Sequence, residues 1–378
     1  MKRGLIILVL VISQTIGYSQ YLSVPVMSDH KPEAGSRVKV IPEDYQKTEV
    51  YYSLYLPENY KPGNTYPVIV EYTGNEWPPS GSTGEVKDAN LGYAIAKRIG
   101  AIWLVLPYIQ QGRSVTKWWG DEVETVDFAL KNIREVCENY GGNPAEIFLC
   151  GFSRGAIGVN YLGLYNDKIA EVWLGFFTHD HYDGVREWKG TEWGSPIAKY
   201  RQAAKERMGR LRGRNCLISQ NIEEGETSFE TRNYIEENSF DSLANIRYNW
   251  FSMRKVIPHI PSEAVPHSHT DKWLLYDSEY AETVYNWFLE TIQSKPNTYS
   301  ISGVIRNSKG KPLKGVVVES STTHFAISNK DGEYRLEGLT AGPKKVTVFD
   351  RGNGSLRLSK EVYLEAPIIG LDFMIGHR

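Results

Sequence analysis

The feature that most limits the fold of this chain is a repeated alternation of short apolar runs with stretches of helical periodicity. Pro67-Val-Ile-Val-Glu71 and Ala101-Ile-Trp-Leu-Val-Leu106 are continuous apolar runs of the length that forms strands buried on both faces. Val123, Val126, Leu130, Ile133 and Cys137 then recur at helical spacing, with Asp121 and Glu124 as N-terminal cap and Gly141-Gly142 as stop. Glu146-Ile-Phe-Leu-Cys150 reads as the next buried strand and leads into a helix-like segment, and 171–177 and 215–219 are further strand candidates. Parallel strands need long crossovers, and crossover helices cover the sheet. The alternation therefore predicts a three-layer α/β sandwich with a mostly parallel sheet.

Near Ser294-Lys-Pro-Asn-Thr298 the pattern changes, and helical periodicity ends. Short strands are expected at 299–307, 315–320, 323–329, 334–336 and 345–349, divided by turn clusters such as Lys309-Gly-Lys-Pro312 and Asn329-Lys-Asp-Gly332. The chain thus divides into an α/β domain at 20–293 and a small all-β sandwich at 294–378, preceded by a leader at 1–19. Ile301-Ser-Gly-Val-Ile305, Pro312-Leu-Lys-Gly-Val316, Asp331-Gly-Glu-Tyr334 and Leu339-Thr-Ala-Gly342 make the tail resemble the carboxypeptidase regulatory-like domain, a transthyretin-like sandwich. That resemblance implies a spacer, a docking surface for a partner or a stabiliser, and no catalysis.

The leader begins Met-Lys-Arg, continues with the apolar run from Gly4 to Ile12, and ends in Gly17-Tyr18-Ser19. This is the pattern of a secretory signal peptide cut after Ser19, and it predicts a periplasmic or secreted protein. The apolar run is well short of the ~20 residues that span a bilayer, so no stable membrane insertion is expected. With 43 basic and 45 acidic residues spread along the chain and no long basic run, a nucleic-acid surface is not expected either. Cys137, Cys150 and Cys216 are odd in number, and their spacing suits neither a zinc site nor a disulfide framework; buried free thiols are expected.

The chemistry concentrates in three segments. Gly151-Phe152-Ser153-Arg154-Gly155 follows the strand at 146–150 and opens a helix-like segment, the context of a serine on a sharp strand-to-helix turn. Tyr72-Thr73-Gly74-Asn75 follows the strand at 67–71, and Pro266-His267-Ser268-His269-Thr270-Asp271-Lys272-Trp273 precedes the final helix, expected from about Thr270. Together these segments, over about 50–292, resemble α/β hydrolases of the esterase and dienelactone-hydrolase type.

The resemblance implies Ser153 as nucleophile and His269 as its general base, with His267 and His259 as the other histidines of that loop. It implies an acid after the strand at 215–219, where Glu223 and Glu224 stand instead of the usual aspartate; Glu223 is the acid expected, and Asp180 or Asp183, after Phe177, is the fallback. The oxyanion donors would be the backbone N–H groups of Arg154 and Asn75, Thr73 replacing a more usual histidine. No cofactor and no metal are implied.

His179-Asp180-His181-Tyr182-Asp183 also resembles the first part of the metallo-β-lactamase metal motif, but Gly184 stands where that family has a further histidine. The segment reads instead as a loop over the serine. Trp77, Trp118, Trp119, Trp188 and Trp193 fall in loops on the same edge, as core plugs or as platforms for sugar rings or aromatic acyl groups. The expectation is an exported serine hydrolase cleaving a carboxylic ester, of a carbohydrate or a phenol, through an acyl-enzyme. A serine peptidase and a non-catalytic glycan-binding protein on the same fold are the alternatives.

Overall fold

The computed structural model describes residues 21–188, 196–223, 228–256, 267–350 and 357–376. The leader, Trp193, Glu224 and His259 lie outside the described residues. Eight strands form one sheet: β1 (Arg37–Val40), β2 (Tyr52–Tyr55), β3 (Tyr66–Tyr72), β4 (Ile102–Leu106), β5 (Gly142–Phe152), β6 (Gly175–His179), β7 (Asn215–Asn221) and β8 (Asn245–Phe251). Their order is β1-β2-β4-β3-β5-β6-β7-β8. β2 runs antiparallel to both β1 and β4, and every later pairing is parallel. This is the α/β-hydrolase arrangement.

Side chains alternate across the sheet, and both faces are covered. Val68, Val70, Leu104, Leu149 and Ile218 pack toward α2 (Glu122–Tyr140), α3 (Arg154–Tyr161), α4 (Ile197–Met208) and α5 (Ser228–Glu237). Ile69, Trp103, Phe148, Phe177 and Leu217 pack toward α1 (Leu91–Ile99) and α6 (Glu279–Gln293). Each such large side chain, fully buried, contributes about 1.5–3 kcal/mol. α2 ends as its sequence requires: Asp121 caps it by accepting the Glu124 N–H, and Gly141 takes the left-handed conformation at φ 72°.

Several boundaries differ from the sequence reading. The strand expected at 171–177 starts only at Gly175, which pairs with Phe148 and Asn215. Val172 and Trp173 are buried, but they pack in the helical layer after a short helix at Asp167–Ala170. The final helix starts not near Thr270 but at Glu279, capped by the Ser278 side chain, after a 3-10 turn at Lys272–Leu275. The edge strands β1 and β8 carry no strand signal in the sequence, because they bury only alternate residues or half their length and neither is a continuous apolar run. The three cysteines are free, two buried and Cys137 half-buried. No helix among the described residues is long and apolar enough to cross a membrane.

The tail forms β9 (Thr298–Asn307), β10 (Val316–Glu319), β11 (Phe325–Ile327), β12 (Glu333–Thr340), β13 (Gly342–Asp350), β14 (Arg357–Leu364), β15 (Ile368–Ile369) and β16 (Phe373–Ile375). One sheet has the order β12-β9-β15, with β16 also on β9; the other has the order β11-β10-β13-β14. Ile301, Val318, Leu336, Val348 and Leu364 from the two sheets share one core, separate from the core of the large sheet. The sandwich meets the larger domain through Arg134, which bonds Glu319 at 2.9 Å and lies 4.0 Å over the Phe325 ring.

Candidate active site

β5 is the central strand of the site, and it ends in a turn that only small neighbours permit. Ser153 sits between β5 and α3 at φ 54° and ψ −119°, a conformation rare for any residue with a side chain. A Cβ on Gly155 would stand 1.9 Å from the Tyr72 carbonyl oxygen, and one on Gly151 would stand 2.3 Å from the Gly155 backbone. The two glycines of the motif are therefore demanded by the approach of β3 and α3. Strain of this kind costs about 1–3 kcal/mol and is held by surrounding structure; here the Ser153 N–H donates to the His179 carbonyl at 3.0 Å.

Two further side chains line up behind Ser153. His269 Nε2 lies 3.0 Å from Ser153 Oγ, and His269 Nδ1 lies 2.9 Å from Asp180 Oδ2. Asp180 follows directly on β6, the neighbour of β5, and its φ of 69° turns the carboxylate toward the histidine loop. Its Oδ1 accepts the Asn221 N–H at 2.8 Å. Burial alone would raise the Asp180 pKa, but the neighbouring His179 and His269 and the Asn221 N–H outweigh it and hold the carboxyl below its usual range. Burial lowers the His179 pKa, and the ring bridges Ser219 Oγ at 3.0 Å and the Thr270 carbonyl at 3.2 Å.

Glu223, expected as the acid, is not brought to His269. It follows β7, one strand further from Ser153, and its carboxylate accepts from the Ser252 hydroxyl and faces Arg254 at 3.7 Å. Asp183 is not at the site either. Fully buried, it accepts from the hydroxyls of Tyr200 and Tyr234, each at 2.7 Å, and pairs with Arg207 at 2.8 Å. His267 supports the loop, its Nδ1 accepting the His269 N–H at 3.0 Å. In the His179–Asp183 segment, His179 and Asp183 spend their polar atoms on separate partners. Among the described residues no group of three His, Cys, Asp or Glu side chains could hold a metal ion.

The Arg154 N–H is the first of α3 and so has no acceptor within the helix. The loop of Thr73, Gly74 and Asn75 passes beside the serine: a Cβ on Gly74 would stand 3.3 Å from Ser153 Cβ. The serine opens into a cavity of about 520 Å³ whose walls include Asn75, Trp77, Trp118, Ile157, His181 and Trp188. Trp119 is a core plug, almost fully buried against Tyr108 and Tyr161. Asp180 followed directly on a strand and preceded a histidine, and that placement was the signal available for it in the sequence.

Residues 300–366 match the family model of the carboxypeptidase regulatory-like domain. The regulatory-like domain touches the start of β5, whereas Ser153 follows its end. At about 3.3 Å per residue the two ends of that strand are roughly 30 Å apart. No curated protein matches the chain. Among solved structures, a thermostable esterase is 12% identical at a TM-score of 0.40, over 67% of this chain and 62% of that one. A truncated carbohydrate esterase from gut microbiota is 14% identical at 0.48, over 70% and 100%. A putative dipeptidyl aminopeptidase IV from Bacteroides ovatus is 17% identical at 0.45, over 68% and 35%. The chain thus spans less than two thirds of the first and about a third of the last. At these identities the likeness concerns the fold.

Proposed function

We propose that the chain is an exported serine hydrolase that cleaves a carboxylic ester through an acyl-enzyme. The observation that carries this reading is the line Ser153 Oγ, His269 and Asp180, with contacts of 3.0 and 2.9 Å. A serine hydroxyl is a weak nucleophile until a base takes its proton. His269 Nε2 takes that proton as Ser153 Oγ bonds to the ester carbonyl carbon, and the carbonyl oxygen becomes an oxyanion facing the N–H groups of Arg154 and Asn75. The bond to the leaving alcohol then breaks, and that oxygen receives the proton from His269. Water attacks the acyl group by the same route in reverse, giving its proton to His269; the bond to Oγ breaks, and Ser153 regains its hydrogen as the acid departs. Asp180, ionised throughout, holds the imidazole tautomer and stabilises the imidazolium.

The aromatic walls of the cavity, Trp77, Trp118 and Trp188, support an ester with a sugar ring or aromatic group. Export rests on the basic start and short apolar run of residues 1–19. Replacing Ser153 by alanine leaves the elbow and its glycines in place and removes the nucleophile. Hydrolysis of p-nitrophenyl acetate should fall by about 10⁶ in kcat, with the far-UV spectrum unchanged. A variant that kept most of its activity would refute the assignment.

A further inference from the structure

We infer that the Arg154 side chain is a positioning residue that sets the geometry of the oxyanion hole, by tying the loop that carries the Asn75 N–H to the helix that carries its own. The inference rests on the hydrolase reading above and adds to it a part for a side chain that touches no reacting atom. Arg154 is almost wholly buried, yet among the described residues none of its hydrogen-bond partners is a carboxylate. Its guanidinium donates instead to the carbonyls of Gly74 and Trp118, each at 2.8 Å, and at 3.3–3.4 Å to Gly84 O, Thr73 O and Thr73 Oγ1. Its face lies 3.8 Å over the Tyr108 ring, and the Tyr108 hydroxyl itself donates to Thr73 O at 2.8 Å.

Burying a cation without a counter-charge is costly, and burial pulls this guanidinium down to about 10. An apolar side chain would fill the same space over Tyr108 at less cost. What it would not do is fix the Gly74 carbonyl. The Gly74–Asn75 peptide is planar and trans, so its C=O and N–H point in opposite directions. A donor that holds Gly74 O therefore aims the Asn75 N–H away from itself. Trp118 closes a second loop of the same network, since its carbonyl accepts from Arg154 and its N–H donates to Asn75 Oδ1 at 2.9 Å. Both oxyanion donors, and one wall of the cavity, thus answer to one planar fork of N–H groups. Lysine, with a single ammonium, cannot reproduce that fork.

The test compares wild type, Arg154→Lys and Tyr108→Phe in p-nitrophenyl acetate hydrolysis, with kcat expressed per mole of folded protein. Each is also titrated with phenylboronic acid, which forms a tetrahedral adduct on the serine. Arg154→Lys should lower kcat about 10²–10³-fold, the scale of one lost oxyanion donor. KM should stay within a few-fold, the pH profile of kcat/KM should keep its shape, and boronate affinity should fall along with kcat. A merely structural role would lower the thermal midpoint and leave kcat and boronate affinity per folded molecule unchanged, and that result overturns the inference. If Arg154→Lys does not fold, Tyr108→Phe decides, because it removes one bond to the same loop and keeps the ring; wild-type kcat and boronate affinity in that variant overturn the inference too. A wild-type chain inert toward both reagents would sink the hydrolase reading itself, and the inference with it.

Discussion

Asp180 and Glu223 both follow sheet strands, both lie at the edge of the sheet that carries Ser153, and both are acidic, so residue type alone does not choose between them. Distance across the sheet does. Neighbouring strands are about 4.8 Å apart, and β6 adjoins β5 while β7 lies one strand beyond it. The left-handed turn at Asp180, a conformation that aspartate tolerates better than most residues, brings its carboxylate to His269. Ser153 and His269 each sit in a local pattern that the sequence shows, whereas the choice between Glu223 and the fallback Asp180 depends on a contact between distant segments. Asp180→Asn should therefore cost about 10⁴-fold in kcat, with little change in KM. Glu223→Gln should stay within a few-fold of wild type. Steady-state kinetics on p-nitrophenyl acetate checks both, and the reverse ranking would return the acid to β7.

The elements that read clearly in the sequence are the strands buried on both faces, β3, β4 and β5, with their apolar runs, and the helix α2, with its apolar stripe against the sheet. Edge strands such as β8 expose alternate residues and carry no such run. One buried residue inside a legible strand had no sequence signal. Glu71 on β3 accepts the Gly92 N–H at 2.7 Å and the Trp103 indole N–H at 2.8 Å, pinning α1 and β4 to the strand. Burial pushes its carboxyl up to about 8 from an ordinary 4.5. The folded chain thus keeps this proton to higher pH than the unfolded chain does. The stability it contributes is full below about pH 4.5 and is lost as pH rises through about 8. The thermal midpoint should fall between pH 5 and pH 9, and Glu71→Gln, which keeps an acceptor for both N–H groups, should flatten that fall. An equally steep fall in the variant would assign the pH dependence to other groups.

At the scale of the whole molecule, the change of periodicity near Ser294 marked the two cores, but nothing in the sequence told where the regulatory-like domain would rest. It rests at the far end of β5, with its own core and a join that includes the Gly338–Ala145 approach and the Arg134 contacts to Glu319 and Phe325. A partly exposed ion pair such as Arg134–Glu319 is worth about 0–1 kcal/mol. Truncation after Pro296 should leave a soluble hydrolase within about two-fold of full-length kcat, measured beside the intact chain; an inactive truncation would mean that the domain reaches the site. The central claim, that the serine at the elbow is an activated nucleophile, is tested most directly by the intact mass of the full chain after exposure to a fluorophosphonate. One adduct per chain, mapped to Ser153 and absent from Ser153→Ala, is the expected result. No adduct on the folded chain, or an adduct at another residue, would contradict it.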